Sequence, residues 1–229
     1  MRVFVSAAGL ALSLSALPAQ ALSPAGPPVS YKVGDSKPSA SVSIQTVTLD
    51  AVAGMNPKAV ASVNAALKAA AAGFAGEAKQ CGAAAVKGRP WEFKLTFDKA
   101  VLSDNYLSMV FAKSTVCAGS PDEAKEARVF ALKTGALVPS RALFKHMLPA
   151  AKIASSVAKN RELIRLDQES AATLIDDSKV LLKIDDKRCD FYLKNTSYRI
   201  WADGRNLVFF PEFNQPYSFC QKEYAIAPE

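Results

Sequence analysis

Residues 91–116 read WEFKLTFDKAVLSDNYLSMVFAKSTV, and this stretch decides the fold class. Trp91, Phe93, Leu95 and Phe97 alternate with Glu92, Lys94 and Thr96. That period of two marks a strand with one buried face. Ser103-Asp104-Asn105 follows, and short polar side chains of this kind satisfy turn backbone. Tyr106 to Val116 then resumes the pattern, with Leu107, Met109 and Phe111 on one face. The two runs predict an antiparallel hairpin.

Working outward, the N-terminal flank is helical. Asn56 suits a helix cap and Pro57 suits the first turn. Val60, Val63, Leu67, Ala71 and Phe74 recur at helical spacing, which predicts an amphipathic, Ala-rich helix of about 20 residues. Gly82 and Gly88-Arg89-Pro90 end it. Ser41 to Leu49 reads as a strand, with Val42 and Ile44 on one face. On the other flank, Gly119-Ser120-Pro121-Asp122 reads as a loop. Ala127 to Leu132 reads as a third strand, closed by Thr134-Gly135. Ser140 is expected to cap a short helix carrying Leu143, Phe144, Met147 and Leu148. Ala150 to Lys159 and Arg161 to Asp177 read as further helices. Phe191 to Lys194, Tyr198 to Trp201 and Asn206 to Phe210 read as short strands. Asp203-Gly204 is a hairpin-turn signal, and Phe219 to Ile226 is a candidate last strand. Strands and helices come in runs, so the class is α+β. The expected architecture is an antiparallel sheet backed by the Ala-rich helix. Additional helices stand between the hairpin strands and the C-terminal strands.

The first residues have the three parts of a secretory signal. Arg2 is the only charge in residues 1–21, Val3 to Leu17 is apolar, and Ala19-Gln20-Ala21 places small residues where signal peptidase reads. Cleavage after Ala21 is predicted. The apolar run falls short of the roughly 20 residues needed to span a bilayer, and no second run is expected to reach that length. Residues 22–41, with Pro24, Pro27, Pro28 and Pro38, read as a flexible leader. Residues 42–229 read as one domain. The expected location is the periplasm or the exterior.

Four cysteines in an exported chain suggest two disulfides, with three possible connectivities. Cys81 and Cys117 flank one predicted hairpin, and Cys189 and Cys220 flank another. Those are the favoured pairs. No CxxC occurs and the chain has one His, so neither a redox pair, a metal site nor a cofactor is expected. Losing Arg2 with the signal lowers the net charge from +7 to +6. Export argues against nucleic acid as the matching partner. An anionic wall polymer or acidic protein surface is the alternative.

Catalytic signatures are sparse. His146 lies beside Met147 and Leu148 at a helix end, with no Gly-x-Ser-x-Gly elbow. Asp176-Asp177 and Asp185-Asp186 are doublets whose side chains diverge, unlike the facing pair a glycosidase needs. Distant carboxylates such as Asp98 and Glu212 could converge only through the fold. The C-terminal third is dense in aromatics interleaved with Arg. Arg199, Trp201, Arg205, Phe213 and Tyr217 are the candidate partner-binding residues, since Arg and aromatics give contact area at low entropic cost.

Val129-Phe130-Ala131-Leu132-Lys133-Thr134-Gly135, then Leu137 and Leu143-Phe144, resembles a strand–turn–helix segment of a bacterial extracytoplasmic domain. That domain occurs in lysozyme-sensing anti-sigma factors and beside peptidoglycan deacetylase domains. Phe191-Tyr192-Leu193, Leu207 to Pro211 and Tyr224 to Pro228 are similar to its later segments. The resemblance implies a helix-backed α+β fold and a ligand-binding role at the cell wall or against a lysozyme. Neither the anti-sigma membrane span nor the deacetylase motifs are seen. The expectation is an exported binding module, not an enzyme. Its partner is peptidoglycan or an envelope protein such as a lysozyme, which it would inhibit. The alternatives are a wall hydrolase using converging carboxylates and a structural envelope-assembly protein.

Overall fold

The 91–116 hairpin is the middle of a five-stranded sheet in the computed structural model, which describes residues 28–119, 121–154, 162–213 and 217–228, with Tyr217 as backbone alone. The signal segment and the start of the leader lie outside the described residues. The sheet runs β1 (Val29–Ser39), β2 (Val42–Val52), β3 (Glu92–Leu102), β4 (Tyr106–Val116) and β5 (Pro121–Ala131), in that spatial order. Three pairings are antiparallel. β2 and β3 pair in parallel, with Val42 opposite Phe93 and Ile44 opposite Leu95. A parallel pair needs a long crossover, and α1 (Pro57–Ala84) supplies it.

Asn56 caps α1, its side chain accepting from the Ala59 N–H at 2.9 Å. The helix runs 28 residues, past Gly73 and Gly76 to Ala84. Tertiary packing overrides the weak propensity of those glycines. Ala59, Val63, Leu67, Phe74, Ala78 and Cys81 form its buried stripe. Asn64 ties the helix to β2: it accepts from Leu49 N–H at 2.8 Å and donates to Leu49 C=O at 2.9 Å. By length and composition α1 reaches what a membrane span requires, against the expectation that no second run would. In this fold its stripe lies on the sheet.

The stretch read as a flexible leader is a strand from Val29 onward. β2 offers an unpaired edge, and a polar chain satisfies it by backbone hydrogen bonds. Val29, Tyr31 and Val33 alternate, and the Tyr31 ring meets Phe97 edge-on at 5.0 Å. Pro38 is tolerated because β1 is an edge strand, and it sits at a register shift. β5 likewise begins earlier than expected, at Pro121.

The turn after β5 is packed against α1. Gly135 has φ +68°, and a Cβ there would stand 2.1 Å from the Ala59 carbonyl oxygen. Ser62 Oγ donates to the Gly135 carbonyl at 3.2 Å. Gly135→Ala is expected to destabilise the chain by at least about 1–3 kcal/mol, read as a lower urea midpoint. An unchanged midpoint would show that α1 can step away from the turn.

A second layer follows: α2 (Ser140–Met147), α3 (Gln168–Leu182), α4 (Asp190–Leu193), β6 (Tyr198–Asp203), β7 (Asn206–Pro211), a 3-10 turn at Tyr217–Cys220 and β8 (Tyr224–Ile226). β6, β7 and β8 form an antiparallel sheet. Several local expectations are corrected here. Pro139, not Ser140, holds the α2 cap position, and Ser140 Oγ donates to the Glu162 carbonyl instead. Residues 151–154 are not helical, and the rest of the helix expected over 150–159 lies outside the described residues. The next helix starts at Gln168, capped by Asp167, not at Arg161. Ile164 and Leu166 alternate in bridges to Tyr198 and Ile153; that period of two hid inside a helical template. Residues 191–193 are helical and Lys194 is the turn that follows, so the stretch is not extended. Of 219–226 only Tyr224–Ile226 is strand.

The five-stranded sheet is buried on both faces at β4. Leu107, Met109 and Phe111 point into the core beneath α1. Val110 joins the second core with Trp201, Phe209, Leu174 and Phe144. Ser108 stands on that second face and donates to the Ala202 carbonyl at 2.8 Å.

Candidate functional site

The structure separates the five candidate partner-binding residues. Trp201 is wholly buried, and Arg199 is 6% exposed. Both lie on β6, where Tyr198 to Ala202 are all buried, so neither offers a side chain to a partner. Phe213 is half-buried against the Tyr192 ring. The side chain of Tyr217 lies outside the described residues. Arg205 alone of these stands on an open surface, at the β6–β7 turn.

Arg199 instead completes an internal ion cluster. Its guanidinium nitrogen lies 3.3 Å from the Glu126 carboxylate and 3.7 Å from that of Glu212. Lys113 reaches Glu126 at 2.8 Å, and Arg128 at 3.5 Å. Burial alone would raise the Glu126 pKa, but Arg199, Lys113 and Arg128 outweigh it and hold it below the ordinary value. Burial raises Glu212, and Arg199 only partly offsets that. Two carboxyls with opposite shifts resemble an acid–base pair. Glu126, however, is 4% exposed and committed to three cations, so substrate has no route to it.

Open concavities lie elsewhere, where α2, α3 and the C-terminal segment meet. The larger is a groove of about 550 Å³. Met147, Leu148, Pro149, Ala151, Ile226 and Pro228 make its apolar lining. Glu169, Thr173 and Asp177 recur every fourth residue along α3, so one stripe of that helix faces the groove. Lys152 lines it as well.

Two serines of α3 build both walls. Ser170 Oγ accepts from the Lys152 N–H at 2.9 Å, and Asp167 N–H donates to the Lys152 carbonyl at 3.2 Å. This seats the 151–152 wall. Eight residues along, Ser178 Oγ accepts from Ala225 N–H at 3.0 Å and donates to Ala225 C=O. This seats β8, the opposite wall, and closes its free edge. No sequence signal marked either serine, because a buried hydroxyl that serves a distant backbone looks like any other helical Ser.

Beyond Met147 and Pro228, which line both, the groove meets a smaller hollow of about 190 Å³. The β3–β4 turn, the end of α2 and the β6–β7 turn converge there. Ser103, Asp104, Asn105, Tyr106, His146 and Arg205 line it. Tyr106 Oη and His146 Nδ1 lie 2.9 Å apart, with the rings edge-on. Burial raises the Tyr106 pKa, so the phenol stays neutral. The chain's lone His therefore does more than end a helix. Ser103 Oγ is buried with no hydrogen-bond partner among the described residues. Such a group costs about 1–3 kcal/mol until something satisfies it.

Cys81 pairs with Cys117 and Cys189 with Cys220, so no described cysteine is free. Two disulfides fit an oxidising, extracytoplasmic compartment. Among the described residues no three His, Cys, Asp or Glu side chains converge on a metal position. No protein-family model matches the chain, and no curated protein matches its sequence.

Proposed function

We propose that this chain is an exported binding module whose groove takes a peptide-bearing fragment of the cell wall. The observation that carries this reading is the presence of both signs of charge over an apolar floor. Glu169, Asp177 and Lys152 line the groove, and Arg205 lines the adjoining hollow. A wall peptide bears amines and carboxylates on a small apolar frame, which suits such a surface. The net charge, +7 for the whole chain and +6 without Arg2, favours encounter with an anionic envelope. The resemblance to wall-associated domains and the signal-like start support this reading and a location in the periplasm or outside the cell.

The test is calorimetric titration of the mature protein with soluble fragments of digested peptidoglycan. Thr173 is exposed on the groove-facing stripe of α3. Thr173→Trp fills the groove and is expected to weaken binding by about tenfold or more, with an unchanged melting midpoint. Absence of fragment binding, or equal binding by the variant, would overturn the reading. So would hydrolysis of purified wall by the protein. Retention of a lysozyme by wild type and variant alike would make the partner a wall-degrading enzyme.

A further inference from the structure

We infer that the 190 Å³ hollow beside the groove is a carboxylate subsite, which receives the C-terminal carboxylate of the bound peptide. The identity of that peptide rests on the wall-binding reading; the subsite itself rests on the hollow's own chemistry.

The hollow is rich in donors. Arg205 is exposed and makes no ion pair among the described residues. A guanidinium presents a planar fork that matches a carboxylate with two parallel hydrogen bonds. Asn105 brings an amide, and Ser103 an unpartnered buried hydroxyl. His146 has its Nδ1 engaged by Tyr106 at 2.9 Å. When Tyr106 donates that hydrogen bond, the proton of the neutral ring sits on Nε2, which becomes a donor.

Asp104 is the one anion of the lining, and it is solvent-exposed on the β3–β4 turn. One cation against one anion leaves little surplus charge. A dianionic phosphate would face Asp104 with only Arg205 to offset it. A monoanionic carboxylate needs only the one fork. Asp104 therefore acts as a filter against more highly charged ligands.

Place and size agree with this reading. Met147 and Pro228 line both concavities, so a chain lying along the groove floor enters the hollow at its end. A volume of about 190 Å³ admits a terminal residue with a small side chain. The groove's carboxylates, Glu169 and Asp177, line the groove and not the hollow, and the ligand's amine would stand among them.

The chain's single His gives the test one unambiguous reporter. The His146 ring signals are followed by NMR while the protein is titrated with N-acetyl-alanyl-alanine, and separately with its C-terminal amide. Saturable movement of the His146 signals by the acid is expected, with the amide at least about tenfold weaker. Arg205→Gln should abolish that preference, and Ser103→Ala should reduce it. Inorganic phosphate should bind no better than the amide. Equal response to acid and amide, no saturable response, or an unchanged preference in Arg205→Gln would overturn the subsite. Silent His146 signals in a protein that still binds wall fragments would sink the subsite and leave the wall reading standing. Acid-selective movement without binding of any wall fragment would do the reverse.

Discussion

Glu126→Ala is expected to cost about 3–5 kcal/mol, because it leaves buried charge without its counterion. Glu126 sits at the centre of Lys113, Arg128 and Arg199, all within 3.5 Å. Lys113 has Glu77 at 3.3 Å as a second partner and can turn outward with it. Arg199 cannot. It is 6% exposed, and its remaining carboxylate is Glu212 at 3.7 Å. The penalty therefore falls on Arg199. A paired change, Glu126→Leu with Arg199→Met, removes both charges and should recover most of the loss. Urea denaturation of wild type, single and double variants forms the cycle. A single variant within 1 kcal/mol of wild type would show that Arg199 finds another solution, a threshold set well below the about 3 kcal/mol minimum.

The same cluster predicts opposite pH dependences. The Glu126 pKa is lowered by folding. Its contribution is fully present above the ordinary carboxyl range and is lost as pH falls through the lowered folded value. Glu212 is raised. Its contribution is fully present below the ordinary range and is lost as pH rises through the raised folded value. Glu212→Gln should thus gain stability relative to wild type on the neutral side, while Glu126→Ala should approach wild type only in acid.

The elements with strong local signals were legible in the sequence. The alternation at 93–97, the Asn56-Pro57 cap and the Asp203-Gly204 turn each depend on neighbours a few residues away. The elements missed are those stabilised by distant partners. β1 is polar and carries Pro38, and only the open edge of β2 makes it a strand. Residues 162–167 carry apolar side chains that fit helix and bridge equally, and Ile164 is decided by Tyr198, whose N–H and C=O it takes at 2.7 and 2.9 Å. The candidate site divides the same way. Arg and aromatics in a cluster suggest recognition, but Arg199 and Trp201 sit two apart on a strand that is buried along nearly its whole length, so the same residues serve packing. Arg205 differs because it sits in a two-residue hairpin turn, which keeps its side chain at the surface. The groove was invisible. Its walls come from residues 147–152, 169–177 and 226–228, joined through Ser170 and Ser178, and no local pattern encodes a meeting of three segments.

The second large effect is expected from the Cys189–Cys220 bond. The bridge spans 31 residues, so its removal frees the unfolded chain by about 4 kcal/mol in the loop-entropy account. Cys81–Cys117 spans 36 residues, which adds only about 0.1 kcal/mol on the same account. Packing separates the two. Cys189 and Cys220 are 1% and 0% exposed within the second core, whereas Cys117 is only partly buried. Replacing both members by Ser therefore also buries two hydroxyls against Leu193 and its neighbours. The elements at and beside this bridge are the shortest among the described residues: α4 has four residues, the 3-10 turn four and the following β8 three. None would hold alone. Cys189→Ser/Cys220→Ser is thus expected to lose about 4 kcal/mol or more, and more than Cys81→Ser/Cys117→Ser. The buried Trp201 indole reports loss of the second core, and Trp91, packed on Gly82, reports the first. In the Cys189/Cys220 variant the Trp201 signal should be lost at lower urea than the Trp91 signal, as separated by single Trp→Phe replacements. Because Ile226 and Pro228 form one wall of the groove, the variant should also lose ligand at urea concentrations that leave the five-stranded sheet intact. Equal midpoints for the two disulfide variants would show that chain entropy alone sets the value of each bridge.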